Sequence, residues 1–200
     1  MKKIILATHN KDKVEEIRSI LNGLPLKIES FLEHPDIPHV LEDGITLEEN
    51  ALKKAKEIFD HTGIPALSDD TGLEVFGLEM RPGVYSARYA GENVTYEDNN
   101  RKLLAEMAGL PLSRRAARFR CVAAIVGPDI EKLTTGICHG KIILEPRGDG
   151  GFGYDPLFKP DGYDLTFAEL SASVKNEISH RAKAFRQMKS ILSAFISGLS

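Results

Sequence analysis

The stretch Pro65-Ala-Leu-Ser-Asp-Asp-Thr-Gly-Leu-Glu-Val75 constrains the fold more than any other part of the chain. An apolar run, Ala66-Leu67, leads into two adjacent carboxylates, Asp69 and Asp70. Thr71-Gly72 are expected to turn the backbone before a second apolar run from Leu73 to Phe76. If the strand instead continues, neighbouring side chains project to opposite faces. Repulsion between the two acids is tolerable only beside water, a cation or positive side chains. A divalent metal is the simplest such partner, and hard oxygen donors select Mg²⁺ or Mn²⁺. Asp, Thr and Gly are also ordinary turn residues, so taken alone the segment reads first as a solvated turn. The balance shifts on the phosphate- and metal-suited groups elsewhere in the chain.

Two hundred residues suit one domain, 1–200, with a sizeable core or two lobes sharing one. A hydrophobic content of 42% and a net charge of -3 describe an ordinary globular protein without global attraction to nucleic acid or acidic membranes. Cys121 and Cys138 each lie in an apolar strand-like run and read as free buried thiols, with no disulfide framework or zinc spacing. The opening apolar run stops at Ala7, too short for a secretory signal, and no segment approaches the roughly 20 residues of a membrane span. The expected location is cytoplasmic.

Ile4 to Ala7 reads as a buried first strand. Asn10 caps a helix with apolar residues at Val14, Ile17, Ile20 and Leu21, ended by Gly23. A strand feeding a helix N-terminus offers free N–H groups and a positive dipole end, a natural seat for phosphate. Thr8, Asn10 and Lys13 are equally suited to that role and to simple capping, whereas Lys11 is expected in solvent. Leu26 to Phe31 is a second strand, followed by a polar loop from Glu33 to Gly44 holding Pro35, Asp36, Glu42 and Asp43. Thr46 and Glu49 match a capping box, and the helix they open runs to Gly63. Glu42, just ahead of it, is available as a metal ligand. Lys53, Lys54 and Lys56 on this helix are assigned to solvent by default, with room for one of them to face the site.

Gly77 to Gly91 reads as a long irregular connection of the kind that carries function or interfaces. Thr95 caps a third helix ending at Gly109. Arg118 to Val126 is a central strand, paired with the following run over Leu133 to Cys138 and then with Lys141 to Leu144. The order points to an α/β fold with a mixed sheet. Gly148-Asp-Gly-Gly-Phe-Gly153 satisfies the dinucleotide-binding expression GxGxxG, but that motif must open a helix, and Pro156 follows too closely. What remains is a flexible loop presenting Phe152, Tyr154 and Asp155, an aromatic to stack on a base and a carboxylate to accept from it. Near the end, Ser179 is placed as N-cap of an amphipathic helix with Phe185, Met188, Leu192, Phe195 and Ile196 buried. His180 and Arg181 then fall in its first turn, where the helix dipole disfavours cations. Together with Lys175 they imply an anionic or carbonyl-bearing partner.

Six motifs occur in one order: Thr8-His-Asn-Lys-Asp-Lys13, Thr46-Leu-Glu-Glu-Asn-Ala51, Ser68-Asp-Asp-Thr-Gly72, Pro82-Gly-Val-Tyr-Ser-Ala-Arg88, Gly151-Phe-Gly-Tyr-Asp-Pro156 and Ile178-Ser-His-Arg181. In these the chain closely resembles the inosine/xanthosine triphosphate pyrophosphatases. The resemblance implies an elongated mixed α/β sheet with a deep cleft between two lobes, and a homodimer that takes neither nucleic acid nor membrane as partner. It implies Mg²⁺-dependent hydrolysis of ITP, dITP and XTP to the monophosphate and pyrophosphate. By the same resemblance Thr8, His9, Asn10, Lys11, Asp12 and Lys13 hold the triphosphate, Asp70 is general base and metal ligand, and Glu42 is the second metal acid. Thr71 and Lys175 contact substrate, Phe152 stacks on the base with Gly153, Tyr154 and Asp155 beside it, and His180 and Arg181 read the 6-oxo edge. His9 departs from the family pattern, where glycine is common. Two other readings stay open, a pyrophosphatase for another modified nucleotide and a non-catalytic nucleotide-binding regulator.

Overall fold

The computed structural model describes residues 2–31, 33, 34 and 36–198; Pro35 of the predicted polar loop lies outside them. The chain folds as mixed α/β. Its elements are β1 Lys2–Leu6, α1 Lys11–Ile20, β2 Leu26–Ser30, α2 Leu47–Thr62, β3 Ala66–Val75, β4 Pro82–Gly83, α3 Tyr96–Glu106, β5 Ala116–Gly127, β6 Ile130–Ile142, β7 Phe158–Pro160, α4 Ala172–Ile178 and α5 His180–Ser197. The strands order as β2-β1-β3-β5-β6-β7, with β4 beside β3. β1 pairs in parallel with both β2 and β3, while β3–β4 and β6–β7 are antiparallel. No helix among the described residues is long and apolar enough to cross a membrane.

Two compact units divide the chain. The first holds residues up to Asp70, Cys121–Gly136 and the part from Arg181 onward; the second holds Thr71–Arg120 and Ile137–His180. Each has its own core. In the first, the α1 stripe of Val14 and Ile17 and the α5 stripe of Phe185, Met188 and Leu192 close over Ile4, Leu6, Leu67 and Ile125. In the second, Leu73, Val75, Phe119, Phe158 and Phe167 pack with Leu103 and Met107 of α3.

Capping chemistry places most helix ends where the sequence predicts. Asn10 Oδ1 accepts from Lys13 N at 3.1 Å, and Gly63 ends α2 in the left-handed conformation. The predicted box at Thr46 forms only half: Thr46 Oγ1 accepts from Glu49 N, but Glu49 reaches past Thr46 to Ile45 N. A complete box forms instead at Thr95 with Asp98. The short helix α4, capped by Ser171, has no counterpart among the sequence expectations and places Lys175 inside a helix.

Two strand expectations are overturned. Thr71-Gly72 do not turn the chain, because β3 runs unbroken through them to Val75. Gly72 is there for close approach: a Cβ would stand 2.6 Å from the carbonyl oxygen of Gly83 on paired β4. The two runs expected around His139-Gly140 are one strand, β6, in which Gly140 again admits a neighbouring backbone, with its Cβ position crowded by the Lys159 carbonyl oxygen of β7. Gly72→Ala should destabilise the protein by roughly 1–3 kcal/mol through overpacking against backbone that cannot yield. Urea denaturation reads this, and an unchanged midpoint would show that β4 does not lie so close.

Candidate active site

In the first unit the chain runs from β1 through α1 to β2, then through α2 to β3 on the far side of β1. The strand order reverses between β1 and β3, the switch point outside whose carboxyl ends open α/β sheets bind ligands. β1 stops at Leu6, with Ala7 N bonded to Leu67 O, while β3 carries on to Asp69 and Asp70. Because β3 stays extended, these acids point to opposite faces. Asp69 meets α1 and α5; Asp70 meets α2.

Asp69 is fully buried, and its Oδ2 lies 3.1 Å from Lys13 Nζ and 3.3 Å from Arg181 Nη2. Arg181, also buried, bonds Glu16 Oε2 at 2.6 Å through Nη1. Burial alone pushes the Asp69 carboxyl up, but Lys13, Arg181 and Lys54 outweigh it and hold the group below the usual carboxylate range. The Asp70 carboxyl behaves in the opposite way. Burial raises it, with a further push from Glu42, and the charges of Lys54 and Lys13 compensate only in part. Its Oδ2 accepts from Asn50 Nδ2 at 3.0 Å, and Asn50 Oδ1 accepts from Gly44 N at 2.8 Å, which ties the Glu42 loop to the same helix.

Lys54 joins these groups. Its Nζ lies 2.5 Å from Glu42 Oε1, 2.7 Å from the Asp69 carbonyl oxygen and 4.0 Å from Asp70 Oδ1. Glu42 and Asp70 therefore flank one cationic position with hard oxygen donors, and the donor set fits Mg²⁺. Among the described residues no group of three His, Cys, Asp or Glu side chains suits a metal. Mg²⁺ needs no such cage, since it commonly takes one or two carboxylates and completes its shell with water and substrate phosphate. Above the switch point, Thr8 Oγ1 accepts from Asn10 N at 3.2 Å, and Lys11 and Asp12 are exposed. His9 packs against Phe31 and stacks on His39, with ring centroids 5.5 Å apart. Burial and then His39 lower its pKa, so it is neutral at pH 7.

The second unit holds the remaining predicted residues. Asp155 Oδ2 accepts from Phe152 N at 2.9 Å and from Lys175 Nζ at 2.6 Å, and the same ammonium lies 4.8 Å from the centre of the Phe152 ring. A Cβ at Gly151 would fall 2.2 Å from Asp155 Oδ2, so glycine there lets the loop fold over its own acid. The Tyr154 hydroxyl is buried and donates to Ser86 O at 2.9 Å, and burial raises its pKa. Tyr154 thus supports the loop from below. The His180 ring stacks on Phe119, with centroids 4.6 Å apart and 15° between planes. Thr71 lies part-buried in β3.

Within the first unit the structure brings together Lys13, Glu42, Asp70 and Arg181; within the second it brings together Phe152, Asp155 and Lys175. Asn50 was missed by sequence reasoning, and Lys54 was named only as one of three lysines of which one could face the site, yet a sharper signal existed. Leu47, Asn50, Ala51, Lys54, Ala55 and Ile58 fall at helical spacing and form the buried face of α2. A lysine and an asparagine on that stripe need buried partners. Asp69→Asn should destabilise the protein by about 3–5 kcal/mol at neutral pH, because it leaves the buried Arg181 and Lys13 charges without their counter-ion. Guanidinium denaturation tests this; a loss under ~1 kcal/mol would make Asp69 a solvent-compensated charge.

A model of the Ham1 family matches residues 4–191 of the chain. A curated relative from Geobacter sulfurreducens, named dITP/XTP pyrophosphatase, is 50% identical over 190 residues, 94% of this chain and 96% of its own length. One of the same name from Desulforamulus reducens is 49% identical over 191 residues, 95% of each. Among solved structures, a HAM1 protein from Coxiella burnetii superposes with a TM-score of 0.88 at 39% identity, covering 96% of this chain and 99% of that one. The Staphylococcus aureus Ham1 protein gives 0.86 at 38% identity, covering 97% and 100%. With a match of this extent in sequence and backbone alike, the chain belongs to the Ham1 family.

Proposed function

We propose that this protein hydrolyses non-standard purine nucleoside triphosphates (dITP, ITP and XTP) to the monophosphate and pyrophosphate, using Mg²⁺. The carrying observation is the Asp70 carboxyl, buried, oriented by Asn50 and raised in pKa beside the cationic position of Lys54 and Glu42. The relatives named dITP/XTP pyrophosphatase at about half identity support the substrate class.

Lys13, Lys54 and the N-terminus of α1 offset the charge of the triphosphate. Glu42 and Asp70 would hold Mg²⁺, which when bound neutralises the phosphate oxygens and acidifies water. Asp70 takes a proton from the attacking water, and its raised pKa makes it a stronger base. The water oxygen bonds to the α-phosphorus, the bond to the bridging oxygen breaks, and pyrophosphate leaves with that electron pair. Arg181 acts through Asp69, keeping it ionised and Lys13 in place. In the second unit Phe152 stacks on the purine, Lys175 contacts the substrate and His180 supplies a donor to the 6-oxo edge; Arg181, expected as its companion there, is engaged by Asp69 and Glu16. Adenine's exocyclic amine leaves such a donor unmet, which discriminates by up to about 10⁴.

A panel of dITP, XTP, GTP, ATP and dUTP, run with Mg²⁺ and with EDTA in H₂¹⁸O, tests the proposal. Pyrophosphate from dITP and XTP, with the label in the monophosphate and loss of activity in EDTA, is the expected result. Orthophosphate would mean attack at the γ-phosphorus and remove Asp70 from its role. Asp70→Asn should abolish turnover while retaining nucleotide binding. A carboxyl whose pKa is raised on folding destabilises the folded state once pH rises above its unfolded value. The variant's melting temperature at pH 7 should therefore hold or rise.

Lys54 lowers the Asp70 pKa, so removing its charge raises that pKa and the base ionises at higher pH. In Lys54→Met the acid limb of kcat/KM against pH should move to higher pH. An unmoved limb would show that another group supplies the base.

A further inference from the structure

The Gly-rich loop that carries Phe152 is anchored from outside by α3. Asn100, 8% exposed, donates from Nδ2 to the Gly153 carbonyl oxygen at 3.0 Å. Its neighbour Asn99 serves a different segment, accepting from Ala90 N at 2.7 Å and donating to Ala87 O at 3.0 Å. That segment holds Ser86, whose carbonyl receives the Tyr154 hydroxyl. Two consecutive amides of one helix therefore brace both the 82–90 segment and the loop bearing the aromatic face.

The loop needs such a brace. Gly148, Gly151 and Gly153 all have positive φ, and a run this rich in glycine has a large conformational entropy when unrestrained. Phe152 is pinned on its N-terminal side by Asp155, but that contact lies within the loop. On its C-terminal side the hydrogen bond from Asn100 holds the Gly153–Tyr154 peptide, one residue beyond the ring, and so limits the freedom of Gly153. The amide orientation is unambiguous. Asn100 Oδ1 accepts from no described group, and reversing the amide would set that oxygen against the Gly153 carbonyl oxygen.

We propose that Asn100 is a positioning residue for base recognition: it touches no substrate, and by holding the Gly153 carbonyl it fixes the Phe152 ring as a stacking platform. The role rests on the assignment of that ring to the purine. A preorganised platform contributes to binding and not to the chemical step, so its loss should appear in KM.

The test is Asn100→Asp, which keeps the shape and removes the donor, assayed with dITP and Mg²⁺ by pyrophosphate release. KM should rise roughly tenfold with kcat within about twofold. In a Phe152→Ala background the same change should leave KM unaltered, because the platform is already gone. Asn100→Ala, a helix-compatible change, gives the same comparison if the aspartate variant does not fold. An unchanged KM, or an equal rise in the Phe152→Ala background, would reduce Asn100 to a stabilising contact and overturn the proposal. A wild-type protein that releases no pyrophosphate from dITP would instead overturn the functional assignment on which the role of Asn100 rests.

Discussion

The first unit depends on the pairing of a fully buried carboxylate, Asp69, with Lys13 of α1 and Arg181 of α5. No ion of this kind is tolerated in a dry interior without partners, and each partner here comes from a different element. The arrangement locks α1, α5 and β3 in one register at the place where β1 ends. On the opposite face of the same strand, Asp70 receives a weaker set of partners, an amide and a more distant ammonium. Two adjacent, chemically identical residues thus have opposite electrostatic fates: one held ionised, the other raised in pKa.

This separation of roles follows from strand geometry. A strand that continues past its neighbour's end exposes successive side chains to two different environments, and helices on the two faces supply them. The unbroken strand depends in turn on glycine at position 72, where a neighbouring carbonyl occupies the space of a Cβ.

The second unit solves a different problem, that of holding an aromatic ring still on a flexible loop. Asp155 restrains the loop from within, Tyr154 plugs it into Ser86 O, and Lys175 of α4 and the α3 amide of Asn100 restrain it from without. The Pro82-Gly-Val-Tyr-Ser-Ala-Arg88 motif gains a physical meaning here, since its backbone carbonyls are the sockets. Sequence inspection sees the motif but not the sockets, because a carbonyl acceptor leaves no mark in residue identity.

Much of the architecture is legible in the chain. The periodicity of Val14, Ile17 and Leu21, the caps at Asn10, Thr46 and Thr95, and the stop at Gly63 are local, so short-range physics determines them. The candidate site was read as residue types in order, and the structure draws Lys13 and Asp70 into one charged cluster and Phe152 and Lys175 into another. Tertiary structure alone decided the rest. It kept β3 extended so that Asp69 and Asp70 meet different faces, drew Lys54 from its default place in solvent into a buried contact with Glu42, and made Gly72, an expected turn residue, and Gly140, an expected break between two strands, points of close backbone approach. These outcomes depend on groups far apart in sequence meeting in space, where burial and charge set what a side chain does, and no local pattern encodes that.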